Sequence, residues 1–148
     1  MRRATALALG FALLGALALN GCGDADDEPA APPTETTESG VIELTIRYDD
    51  GAGDTTLGTL TCRADAQRAG GALRDAAPAA ELCDRARGLA DFLLAEPDRT
   101  RACTQIFGGP ETARVTGTID GREVDRRFSR TNGCEIADFT RAAGLLQP

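Results

Sequence analysis

Val41-Ile42-Glu43-Leu44-Thr45-Ile46-Arg47-Tyr48 alternates strictly, with Ile42, Leu44, Ile46 and Tyr48 on one face and Glu43, Thr45 and Arg47 on the other. A period of two marks a strand with one buried face. Asp49-Asp50-Gly51-Ala52-Gly53-Asp54 follows as a run of turn formers, and residues 55–63 return as a Thr- and Leu-rich strand, which completes an antiparallel hairpin. The same arrangement recurs downstream. Residues 112–119 are strand-like, Asp120-Gly121 is a strong two-residue hairpin signal, and residues 122–130 form the returning strand.

Between the hairpins lies a Gly- and Ala-rich loop and then a helical pattern. Residues 78–96 carry Leu82, Ala86, Leu89 and Leu93 on one stripe, from Pro78 to a stop at Pro97. Residues 135–146, after Asn132-Gly133, read as a second, short helix. Hairpins with one firm and one short helix give an α+β domain on an antiparallel sheet. The chain has no repeat, no room for a doubly wound α/β fold and no glycine-rich phosphate loop, since Gly51/Gly53, Gly70-Gly71 and Gly108-Gly109 all read as turns.

Composition narrows the function. The 148 residues include five Cys, 16 Arg and 23 acids but no Lys, His or Trp, for a formal charge of −7. Without His there is no Ser-His-Asp or Cys-His machinery, and Ser39 and Ser129 have no base to activate them. The best carboxylate pairs, Asp49/Asp50 and Asp120/Glu123, lie in turns where a solvated role is expected, and Arg126-Arg127 reads as a solvated strand end. The expectation is a protein that is not an enzyme and uses no cofactor or metal. An acidic chain also lacks the cationic face that displaces counterions, so nucleic acid is not an expected partner.

Residues 1–21 read as an export signal. Arg2 and Arg3 precede an apolar run over residues 4–19 that is too short for a bilayer span of about 20 residues. The run ends at Leu19-Asn20-Gly21-Cys22, which resembles a bacterial lipobox, and that resemblance implies lipidation of Cys22. The expected location is the outer face of the cytoplasmic membrane, or the exterior where Cys22 is unmodified. Residues 22–40 carry six acids and three Pro with almost nothing apolar, the composition of a disordered acidic tether. Without Arg2 and Arg3 the chain has 14 Arg against 23 acids, or −9. Six of those acids precede residue 41, leaving 17 against 14 Arg, or −3, on the domain of residues 41–148.

Setting Cys22 aside leaves Cys62, Cys83, Cys103 and Cys134, an even set that forms two disulfides in an exported protein. Three pairings are open. If neighbours pair, each loop closed contributes about 3–4 kcal/mol through lost unfolded-state entropy. A Cys₄ zinc site is the competing reading, disfavoured because no C-x-x-C spacing occurs.

Cys103-Thr104-Gln105-Ile106-Phe107-Gly108-Gly109-Pro110 has no period that would bury both Ile106 and Phe107. A Cys-pinned extended loop of this kind suits a standard-mechanism protease inhibitor. It enters a protease cleft as an added strand, loses little entropy on binding and keeps its ends in place when cut.

Here the sequence resembles the subtilisin inhibitor-like family, over residues 41–140. The likeness is carried by Leu60-Thr61-Cys62, a helix bearing Cys83, the segment Cys103-Thr104-Gln105-Ile106-Phe107, Pro110, the hairpin around Asp120-Gly121, and Phe128-Ser129-Arg130-Thr131-Asn132-Gly133-Cys134-Glu135. The resemblance implies a five-stranded antiparallel sheet packed with two helices, with disulfides Cys62–Cys83 and Cys103–Cys134 and often a homodimer. It implies a serine protease inhibitor whose reactive bond is Gln105–Ile106, with Cys103, Thr104 and Phe107 as protease contacts and Asn132 supporting the loop by hydrogen bonding. The implied partner is an extracellular, subtilisin-like serine protease. The family usually has Pro before the primary residue and Met or Lys at it, whereas this chain has Thr104 and Gln105. A non-inhibitory envelope-binding lipoprotein with the same fold is the alternative expectation.

Overall fold

The computed structural model describes residues 39–147. The expected signal segment, Cys22 and the tether up to residue 38 lie outside the described residues. Among those described, no helix is long and apolar enough to cross a membrane.

Five strands, β1 (Ile42–Asp49), β2 (Thr55–Cys62), β3 (Gln67–Gly71), β4 (Thr112–Ile119) and β5 (Arg122–Phe128), form one antiparallel sheet in the order β3-β2-β1-β4-β5. The central strand β1 (Ile42–Asp49) pairs along its whole length with β2 (Thr55–Cys62) on one side and β4 (Thr112–Ile119) on the other. Ile42, Leu44 and Ile46 are buried on one face, as the alternation requires. Asp49 and Asp50 close the first hairpin. The Asp50 carboxylate accepts the N–H groups of Ala52 and Asp54 at 2.7 and 3.0 Å, and these bonds hold its carboxyl below the usual carboxylate range. The second hairpin joins β4 to β5 (Arg122–Phe128) through Asp120 and Gly121, both with positive φ, as a two-residue primed turn demands.

The region read as a Gly- and Ala-rich loop is more ordered than its composition suggests. It contains edge strand β3 (Gln67–Gly71), paired with β2, and a one-turn helix α1 (Leu73–Ala76). Leu73 closes over β2 there and is fully buried. The expected single helix over residues 78–96 is two segments, α2 (Ala79–Gly88) and α3 (Ala90–Leu94), which meet at Leu89. The Leu89 N–H is shared by the Arg85 and Ala86 carbonyls, and this tightened turn redirects the chain so that α3 packs on β5. The final helix, α4 (Gly133–Leu146), buries Phe139, Ala142, Leu145 and Leu146.

The helices lie on the sheet face that carries Leu60, Val115, Ile119, Val124 and Phe128, and the core sits between them. Two disulfides staple this arrangement: Cys62–Cys83 ties β2 to α2, and Cys103–Cys134 ties the α3–β4 connection to α4. Paired cysteines of this kind belong to an oxidising, extracellular environment.

A further sequence expectation is overturned. Arg126 does not end a strand in solvent; it is 5% exposed, on the inner face of β5 with Val124 and Phe128. Strand alternation sends it inward, and its guanidinium is satisfied there by the Phe92 ring at 4.6 Å, the Ala95 carbonyl at 2.6 Å and Asp138 at 3.2 Å. Only its neighbour Arg127 faces solvent.

Candidate functional site

Residues 95–111, between α3 and β4, contain no helix or strand. Their course is fixed instead by a succession of local ties. Asp98 accepts both the hydroxyl of Thr100 at 2.6 Å and its N–H at 2.8 Å, and these bonds hold its carboxyl below the usual range. Arg101 then grips Asp138 of α4 with both terminal nitrogens, at 2.9 and 3.3 Å. Two residues later the Cys103–Cys134 bond fastens the chain to the start of the same helix.

Two backbone hydrogen bonds bracket the centre of the segment. The Gly133 N–H donates to the Thr104 carbonyl at 3.0 Å, and the Gly108 N–H donates to the Arg130 carbonyl at 2.7 Å. Arg130 lies in the β5–α4 connection and Gly133 opens α4, so one corner of the fold holds the segment from either side. Between the two bonds, Gln105, Ile106 and Phe107 are exposed and, among the described residues, make no backbone–backbone hydrogen bond. Ile106 is 57% and Phe107 67% exposed, which agrees with the absence of any burying period. The Gln105 amide turns back toward the Cys103 carbonyl at 3.5 Å.

Behind Gly108, Arg130 pairs with Glu111 at 2.9 Å and lies over the Phe139 ring, which anchors the far end of the segment to α4. Asn132, expected to brace the loop with its side chain, acts one step removed. Its Oδ1 accepts the Glu135 N–H at 3.0 Å and caps α4, while the bond across the disulfide comes from Gly133. The Ser129 and Thr131 hydroxyls both donate to the Glu135 carboxylate and hold its carboxyl below the usual range.

The structure therefore gathers Cys103, Thr104, Gln105, Ile106, Phe107 and Asn132 at one corner of the fold, with residues 104–107 exposed. A groove of about 560 Å³ runs beside it, lined by Arg99, Gln105, Arg127, Asn132, Glu135 and Asp138 among others. Sequence reasoning missed Arg101, Arg126 and Asp138. The inward period-two position of Arg126 between Val124 and Phe128 is the signal that marks it. Among the described residues no group of His, Cys, Asp or Glu is placed to hold a metal ion. Compared with known proteins, the chain matches no protein-family model and no curated sequence.

Proposed function

We propose that the protein is a standard-mechanism inhibitor of the subtilisin inhibitor-like type, which presents Gln105–Ile106 as the reactive bond to a subtilisin-like serine protease. The observation that carries this reading is the exposed run Gln105-Ile106-Phe107 held between two backbone bonds and a disulfide. A protease cleft accepts an extended strand with a protruding side chain, and a loop ordered before binding gives up little entropy on entering it. The protease's own triad attacks the Gln105 carbonyl, while the inhibitor supplies geometry alone. An uncharged Gln105 suits a subtilisin pocket better than a trypsin pocket, which needs a cation to meet its acid.

The same reading includes export, removal of residues 1–21 and acylation of Cys22, with the acidic tether carrying the domain away from the membrane. Two acyl chains give durable anchoring, at about 0.8 kcal/mol for each buried methylene. Labelling with a palmitate analogue tests the anchor: label is expected on the wild type and is lost in Cys22→Ala.

Inhibition is tested by incubating the purified protein with subtilisin and sequencing the products. Slow, tight inhibition with a single cut between Gln105 and Ile106 is expected. Rapid cleavage at many sites without inhibition rejects the reading. Retained capture of a specific envelope protein would then favour the non-inhibitory lipoprotein, a reading motivated by Thr104 and Gln105 standing where the family has Pro and Met or Lys.

A further inference from the structure

Asp138 lies one turn beyond Cys134 on α4 and is approached from two sides. From the loop, Arg101 reaches both carboxylate oxygens, at 2.9 and 3.3 Å. From the sheet, Arg126 reaches Oδ2 at 3.2 Å. Arg126 is itself fixed by the carbonyls of Phe92 and Ala95, at 3.3 and 2.6 Å, and by the Phe92 and Phe128 rings. One carboxylate thus gathers β5, α4, the end of α3 and the root of the exposed segment. Without it, the buried Arg126 guanidinium would keep its carbonyl and ring contacts but lose the carboxylate that balances its charge.

We propose that Asp138 is a positioning residue for the reactive bond, acting through Arg101 to fix the chain on the Gln105 side. The inference rests on the inhibitory reading and adds to it a control over the hydrolysis equilibrium. Hydrolysis adds one water across Gln105–Ile106, giving the Gln105 carboxylate and the Ile106 ammonium; resynthesis expels the same water. Freedom gained by the new ends favours the cut form. The Arg101–Asp138 clasp limits that freedom before the bond, as the Gly108–Arg130 bond does after it.

The test compares the full chain with Arg101→Gln, Asp138→Asn and Asp138→Glu, reading amide exchange over residues 102–105 and the ratio of cut to intact protein at equilibrium with subtilisin. Arg101→Gln leaves the Arg126–Asp138 pair in place. It is expected to raise exchange and the cut fraction about two- to five-fold, the range an ion pair open to solvent supports, with an unchanged melting temperature. Asp138→Asn shifts both readouts further, and Asp138→Glu recovers part of the loss. Unchanged exchange and an unchanged ratio in Arg101→Gln overturn the proposal, even if Asp138→Asn fails to fold. A wild type that never inhibits subtilisin defeats the inhibitory reading, whereas normal inhibition with exchange insensitive to Arg101 defeats the clasp alone.

Discussion

The hydroxyl of Thr104 occupies the space in which Gly133 has no side chain: a Cβ built on Gly133 falls 2.1 Å from Thr104 Oγ1, while the Gly133 N–H bonds the Thr104 carbonyl at 3.0 Å. Gly133→Ala therefore opposes two effects. Alanine in the first turn of α4 gains up to about 1 kcal/mol of helix propensity, and Thr104 must rotate away from the new methyl. Global stability is expected to stay within about 1 kcal/mol of wild type, with the proposed inhibition of subtilisin weakened. Adding Thr104→Ala is expected to recover part of the proposed inhibition, since the clash is gone while one side chain that faces the protease is lost. Paired denaturation and inhibition measurements check both, and a single variant that inhibits like the wild type refutes the contact's role.

The two disulfides differ in access. Cys62 and Cys83 are fully buried, whereas Cys103 and Cys134 are only partly so. Mild reductant is expected to open Cys103–Cys134 first, abolishing the proposed inhibition while the sheet persists. Alkylation followed by peptide mass mapping identifies the opened bond, and circular dichroism follows the sheet. Replacing both Cys103 and Cys134 by Ser is expected to cost about 2–5 kcal/mol.

Glu135 gives the corner beneath the segment a pH dependence. Hydroxyl donation from Ser129 and then Thr131 lowers its carboxyl pKa in the fold, so the fold favours the charged form. That stabilisation is complete above the unfolded value of about 4.3 and is lost as pH falls through the lower folded value. A first-turn carboxylate in this setting contributes about 0.5–1 kcal/mol. Wild type should exceed Glu135→Gln by that margin at pH 6 and converge with it as the pH falls through the lowered folded value, as chemical denaturation across the acid range measures.

Gln105 sets specificity in the proposed inhibitor because its side chain alone enters the primary pocket. Gln105→Lys is expected to create trypsin inhibition, and Gln105→Met to tighten binding to subtilisin by tenfold or more, since such anchors dominate interfaces. Inhibition constants for the three proteins against both enzymes decide it. Equal constants throughout would place the contact elsewhere.

Much of this architecture is legible in the chain. Ile42, Leu44 and Ile46 announce β1 because each side chain must choose a face, and Asp120-Gly121 announces its turn because both residues tolerate positive φ. β3 is not legible: Gln67-Arg68-Ala69-Gly70-Gly71 has no alternation, and it becomes a strand only because β2 offers a free edge. Arg126 is hidden for a different reason. A charged doublet reads as surface, and the partners that make its burial tolerable, Ala95 and Asp138, are remote in sequence. The exposed segment stands out because Ile106 and Phe107 fit no period, yet its anchors at Arg130 and Gly133 emerge only once the fold brings the β5–α4 connection alongside.

The two backbone bonds that flank residues 105–107 also fix a local concentration. A break between Gln105 and Ile106 leaves each new terminus within two residues of a bonded neighbour, Thr104 on one side and Gly108 on the other. Fragments tethered so closely meet at effective concentrations that free peptides in solution do not reach. In the proposed inhibitor, scission at Gln105–Ile106 would change covalent state while the flanking bonds keep the two ends near their places.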